Sequence, residues 1–165
     1  MLQLGLYSRS LADTDFIGNS LARHLPDGMT VSLNGPLGSG KTRLVQAIAA
    51  GCNIPVSLVL SPTFVLCRQY EGTRSIAHLD AYRIKDDDEF WELGVEEYFG
   101  ATGITLVEWG TRVENCLPPS RINISIAIID SDKRHFDFSS DDPAFQALFK
   151  YLEDDCEDLL EEIIP

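Results

Sequence analysis

The stretch Gly35-Pro36-Leu37-Gly38-Ser39-Gly40-Lys41-Thr42 carries residue types at a spacing suited to gripping a polyphosphate. It fits the pattern G-x-x-x-x-G-K-[ST]. Glycines let the main chain curl closely, with amide N–H groups turned inward as an anion nest. Lys41 supplies a full positive charge for the outer phosphates, and Thr42 a hydroxyl for a divalent cation. A helix starting near Lys41 aims its positive dipole end at the same point. All eight residues are therefore candidate ligand-binding residues. A glycine-rich turn that binds nothing is the alternative, and the flanks argue against it. Residues 30–34 alternate like a buried strand, and residues 44–50 are strongly helical.

A phosphate loop alone does not cut a phosphate bond. Something must complete a Mg²⁺ shell and something must place the attacking water. Both usually sit at the carboxyl ends of neighbouring strands. Asp80 follows the apolar run 76–79, and Glu108 follows 104–107. A carboxylate there is a hard oxygen ligand for Mg²⁺, direct or through water; the sequence leaves open which of the two touches the metal. Without the loop, each would read as an ordinary acid. Thr63, in Ser61-Pro62-Thr63-Phe64, reads equally as a switch hydroxyl for the γ-phosphate or as a turn residue. Trp109 reads first as packing and second as a mobile aromatic beside the nucleotide. His78 lies two residues before Asp80, on the same strand face. A structural histidine is its commoner reading and a general base the other. The acidic run 86–89 reads as a solvated helix start rather than a metal site.

The elements that must hold these residues follow from patterning. A strand is expected over residues 2–7. Ser10 caps a helix over 11–25, with Phe16, Ile17, Leu21 and Leu25 inward. After the loop helix come a strand over 64–70, a turn at 71–73 and a paired strand over 75–80. A helix is expected from 86 to about 99, a strand over 104–107 and a brief helix near 113–117. A hairpin over 121–138 follows, then a last helix from Pro143 with Asp142 as its cap. The fold class is α/β: a single P-loop NTPase domain with a mostly parallel central sheet flanked by helices and an antiparallel hairpin portion. It spans residues 1–152, with an acidic tail over 153–165 expected to fray.

Composition bounds the partners. The chain has 165 residues and a formal charge of −13. Residues 141–165 hold nine acids and one base, leaving −5 for the first 140. So acidic a chain should not bind nucleic acid strongly alone, because phosphate contacts need Lys and Arg. No apolar run reaches membrane-spanning length, and the first residues lack a signal-peptide pattern. The four cysteines show no C-x-x-C pairing, so no zinc site or disulfide framework is expected, and a cytoplasmic setting is.

Taken in order, the phosphate loop at 35–42, Ser61-Pro62-Thr63-Phe64, His78-Leu79-Asp80-Ala81-Tyr82-Arg83-Ile84, Glu92-Leu93-Gly94-Val95-Glu96-Glu97-Tyr98, Val107-Glu108-Trp109 and Leu117-Pro118 resemble the bacterial TsaE (YjeE) ATPase family. Thr14 and Gly18 resemble its N-terminal motif. The resemblance runs from about residue 10 to 135. It implies a Mg²⁺-dependent, partner-gated ATPase in the synthesis of threonylcarbamoyladenosine, the modified base beside the anticodon in tRNAs reading codons that begin with A. The implied partners are the TsaD and TsaB proteins, with tRNA reached through that complex. The resemblance also implies that hydrolysis resets the complex for another round. By match to the family, Thr42 and Glu108 are Mg²⁺ ligands and Asp80 the Walker-B-type acid. Thr63 and Trp109 are switch residues, and Thr14 and Arg134 lie near the nucleotide.

Two positions depart from the pattern. Pro36 stands where the family usually has Asp, which removes a backbone donor and fixes φ. Gly110 stands where many members have Pro, which predicts a looser loop. Two other functions share the loop: a small-molecule kinase and a nucleotide-sensing adaptor without turnover. The kinase reading lacks an arginine-bearing lid, whereas Pro36 keeps the adaptor open. ATP over GTP rests on the family, since no N-K-x-D segment occurs.

Overall fold

The computed structural model describes residues 1–60, 66–100 and 102–160. In chain order the elements are β1 (Leu2–Ser8), α1 (Leu11–His24), β2 (Met29–Asn34), α2 (Lys41–Gly51), β3 (Cys67–Tyr70), β4 (Ile76–Asp80), α3 (Asp87–Glu92), β5 (Ile104–Glu108), β6 (Ile122–Ile128), β7 (Arg134–Ser140) and α4 (Gln146–Asp155). The strands form one sheet in the order β1-β7-β6-β2-β5-β4-β3. The four central strands, β6, β2, β5 and β4, run parallel, and antiparallel partners close both edges. This is the α/β P-loop architecture expected, with β6 and β7 as the hairpin portion.

Side-chain alternation explains the layers. Val31, Leu33, Ile104, Leu106, Ile124, Phe136 and Phe138 meet Ile17, Leu21, Leu44, Ile48 and Leu152 in the larger core, under α1, α2 and α4. Leu79 and Val107 face the other way and pack with Phe90, Val95, Val113 and Leu117. Strand β2 is buried on both faces, which suits a central parallel strand. Ser10 caps α1 as expected, its side chain accepting from the Asp13 N–H at 3.1 Å. Asp86 caps α3 in the same way, accepting from the Glu89 N–H at 2.8 Å.

Four expectations change. Phe16 faces solvent at 46% exposure instead of joining the α1 core, because its neighbours Ile17 and Leu21 fill that stripe. The helix expected over 86–99 stops at Leu93, where Gly94 turns left-handed (φ +69°), and a 3₁₀ turn follows at Val95–Glu97. Helix α4 passes Leu152 to Asp155, and buried Cys156 and Leu159 continue its apolar stripe. The brief helix near 113–117 begins earlier, as 3₁₀ turns over Gly110–Cys116. The start of the strand expected from Phe64 lies outside the described residues. Among the described residues, no helix is long and apolar enough to cross a membrane. All four cysteines are free thiols, and burial pushes those of Cys116 and Cys156 up to about 11.

Candidate functional site

The phosphate loop leaves β2 at Gly35 and re-enters helix at Lys41. Gly35 has φ +146°, and a Cβ there would lie 2.5 Å from the Ile126 carbonyl oxygen, so only glycine fits. Gly40 is left-handed (φ +108°) and starts α2. The Ser39 N–H donates to the Pro36 carbonyl at 3.0 Å, which closes the loop. Lys41 is 5% exposed. Its Nζ donates to the carbonyls of Gly35 (2.7 Å) and Pro36 (3.1 Å) and sits 4.0 Å from the Trp109 ring centroid. Burial pushes the Lys41 ammonium below the usual lysine range, while Glu108 and Asp80 pull it back up.

The two candidate carboxylates stand side by side. In the parallel pairing of β4 with β5, Asp80 is opposite Glu108, and Glu108 is level with Leu33 just before the loop. Glu108 is 2% exposed. Its Oε1 accepts the Thr42 hydroxyl at 2.6 Å and lies 3.2 Å from His78 Nε2. Donating its proton leaves the Thr42 oxygen lone pairs available to a cation. Asp80 Oδ1 accepts the Tyr82 N–H at 2.9 Å. Burial pushes the Asp80 carboxyl above the usual carboxylate range, the Tyr82 N–H pulls it down, and the neighbouring Glu108 adds to the rise.

Trp109 follows in a left-handed conformation (φ +60°, ψ +38°), unusual for a residue with a side chain. Its N–H is anchored on the Leu33 carbonyl at 2.8 Å. Its ring meets Tyr82 at 4.9 Å, and the Arg112 guanidinium lies 5.6 Å away. Gly110 does not loosen this turn. It is buried, and a Cβ would fall 2.0 Å from Ser32 Oγ and 2.9 Å from Ser32 Cβ. The glycine allows close packing on β2.

These groups line a cleft of about 310 Å³ that holds Leu37, Gly38, Gly40, Lys41, Thr42, Asp80, Tyr82, Glu108 and Trp109. A second cleft of about 660 Å³ lies across the loop and holds Ser8, Thr14, Gly38, Ser39, Gly40 and Arg134. Gly38, Gly40 and Arg43 border both, so the loop forms the ridge between them. In the second cleft Thr14 Oγ1 is 2.8 Å from Ser8 Oγ. Arg134 braces the loop, with Nε donating to the Ser39 carbonyl at 3.0 Å. Arg43 is clamped on both Asp15 oxygens at 2.6 and 2.7 Å.

The structure thus gathers Lys41, Thr42, Asp80, Glu108 and Trp109 around one cleft and Thr14 and Arg134 in the other. The backbone of 35–40 runs between them. Thr63 and its motif lie outside the described residues. Sequence reasoning gave no role to Tyr82 or Arg43. Tyr82 stood two residues after Asp80 within a quoted motif, whereas Arg43 carried no signal beyond adjacency to Thr42. The donor set fits Mg²⁺, which takes one or two carboxylates or hydroxyls and completes its shell with phosphate and water. The positive-φ glycine loop ahead of α2 fits a polyphosphate.

Comparison with known proteins agrees with this geometry. The family model described as "Threonylcarbamoyl adenosine biosynthesis protein TsaE" matches residues 8–136. The tRNA threonylcarbamoyladenosine biosynthesis protein TsaE of Treponema pallidum is 36% identical over 77% of this chain and 93% of its own length. That of Bacillus subtilis is 33% identical over 92% of this chain and 95% of its own. A crystal structure of Bacillus subtilis YdiB superposes with a TM-score of 0.78 at 28% identity, covering 93% of this chain and 95% of that one. With a matched family model over most of its length and relatives above 30% identity along nearly their whole chains, this protein belongs to the TsaE family.

Proposed function

We propose that the chain is a Mg²⁺-dependent ATP-binding protein and ATPase acting with TsaD and TsaB in forming threonylcarbamoyladenosine next to the tRNA anticodon. The observation that carries this is the row of Thr42, Glu108 and Asp80 at the carboxyl ends of β5 and β4, against a phosphate loop. The role in threonylcarbamoyladenosine biosynthesis is supported by the names of the similar proteins. The resemblance of the motifs supports the choice of partners and of ATP. When bound, ATP·Mg²⁺ supplies a γ-phosphoryl group whose charge the metal neutralises.

The chain's own residues do the rest. Lys41 would exchange the carbonyls of Gly35 and Pro36 for phosphate oxygens. Thr42 and Glu108 would hold the cation, with Asp80 as the Walker-B-type acid. Trp109, and Thr63 beyond the described residues, act as switch elements. The wider cleft, with Thr14 and Arg134, takes the nucleoside side. A charge of −13 leaves tRNA contact to the partners, and such a complex works in the cytoplasm.

The test is ATP hydrolysis by the chain alone, with TsaD and TsaB, and with small acceptors. Stimulation by the two proteins is the expected result. Phosphate on a small molecule would move the assignment to a kinase, and binding without turnover in every mixture to an adaptor. Lys41→Ala should abolish ATP and ADP uptake in calorimetry at millimolar Mg²⁺. Glu108→Ala should lower kcat by about 100-fold while leaving ADP binding largely intact. Equal loss of both would reduce Glu108 to a structural residue.

A further inference from the structure

We propose that His78 is a positioning residue for Glu108, that Tyr70 holds it in the donor form, and that this buried pair sets the affinity of the site for Mg²⁺. The inference rests on the reading of Glu108 as a cation ligand.

His78 is fully buried on β4. Its Nε2 lies 3.2 Å from Glu108 Oε1 on the neighbouring strand, and its Nδ1 lies 3.4 Å from the hydroxyl of Tyr70 on β3. Tyr70 is itself only 7% exposed. The chemistry of these partners fixes the tautomer. An ionised carboxylate only accepts, so Nε2 must carry the hydrogen. In the neutral imidazole Nδ1 then presents a lone pair, which the Tyr70 hydroxyl can fill. A line of hydrogen bonds therefore runs from the sheet edge through Tyr70 and His78 to Glu108 and on to Thr42.

The line matters because of where it ends. Among the described residues, both hydrogen bonds to the Glu108 carboxylate fall on Oε1, from Thr42 and from His78. Two donors from different elements fix the carboxylate plane, whereas one would leave it to rotate about that contact. Partners of this outer kind orient metal-binding carboxylates, and their loss costs about 10–100-fold in metal affinity or activity.

The test is a Mg²⁺ titration of ADP binding, with ADP affinity in EDTA as the reference, for the wild type, His78→Leu, His78→Gln and Tyr70→Phe. Gln keeps an N–H near the position of Nε2. His78→Leu should raise the Mg²⁺ midpoint about tenfold or more while its EDTA affinity stays within about twofold. His78→Gln should return the midpoint to within about threefold of wild type, and Tyr70→Phe should shift it by about two- to threefold. An unchanged midpoint in His78→Leu overturns the proposal, as does a parallel loss of affinity in EDTA. Should His78→Leu fail to fold, a folded His78→Gln with a wild-type midpoint supports the proposal, and one shifted tenfold overturns it. A wild type whose ADP binding ignores Mg²⁺ removes the cation reading of Glu108 itself, a result distinct from any variant's.

Discussion

At the seam between α1 and α4, the single carboxylate of Asp155 meets three donors: Ser20 Oγ at 2.6 Å, Arg23 Nη2 at 2.8 Å and His24 Nε2 at 2.9 Å. At the cleft, two carboxylates stand on adjacent strands and share fewer partners. Lys41, beside them in the cleft, directs its hydrogen bonds to the carbonyls of Gly35 and Pro36 and to the Ser39 hydroxyl. The environments push in opposite directions. Asp155 is held below the usual carboxylate range, chiefly by the Ser20 hydroxyl and then by His24 and Arg23. Asp80 is pushed above it, chiefly by burial and also by Glu108. A carboxylate at the seam fastens two helices. The same group at the cleft is held against its preference, as often happens where side chains are placed for function and not for stability.

Three substitutions test the contrast. The largest effect should come from the floor of the cleft. Gly110→Ala forces a Cβ into Ser32, and overpacking of about 1–3 kcal/mol should lower Tm by roughly 2–12 °C in a thermal melt. No change there would mean that β2 and the turn after β5 separate easily.

Asp155→Asn comes next. Its folded-state carboxyl lies below its unfolded value, so its stabilisation is present above the ordinary carboxylate range and is lost as acid protonates it. At neutral pH the variant should melt about 2–4 °C lower, for an interaction of about 1 kcal/mol, with the gap narrowing as the pH falls below the ordinary carboxylate range. A gap that persists in acid would assign the effect to shape instead of charge.

Asp80→Asn should act with the opposite sign and be smallest. The raised folded-state value means that the ionised carboxylate disfavours the fold at neutral pH and the penalty disappears in acid. Asn keeps an acceptor for the Tyr82 N–H. The variant should melt about 1–3 °C higher at pH 7 and match wild type near pH 3. A lower Tm at neutral pH would show that Asp80 is stabilising and would erase the comparison.

Much of this arrangement was legible in the chain because it rests on local patterns. The strand, glycine loop and helix around Lys41, the apolar runs ending at Asp80 and Glu108, and the Ser10 cap each follow from neighbours in sequence. What was missed depends on competition between levels. Acids after Leu152 suggested fraying, yet Phe145, Leu148, Phe149, Leu152, Cys156 and Leu159 recur at helical spacing, and burial of that stripe outweighs the charges on the exposed side. Gly94 broke a helix that acidic residues and periodicity would have continued. Phe16 read as core because it is large and apolar, but it lies on the exposed side of α1. The hold on Glu108 was half legible. Shared parity placed His78 beside Asp80 on one strand face, whereas its partner on β5 emerges only from the register of two strands brought together by folding.

That register has a consequence for the length of the chain. Asp80 and Glu108 reach the phosphate loop because both are opposite one another and on the α2 side of the sheet. Inserting one residue within β5 would invert every side chain beyond it, turning the glutamate toward the apolar layer of Phe90 and Val113 and presenting a valine to the cleft. Inserting two would restore the face but carry the carboxylate about 6–7 Å too far along the strand. The strands that hold these acids should therefore tolerate changes of residue type far better than any change of length.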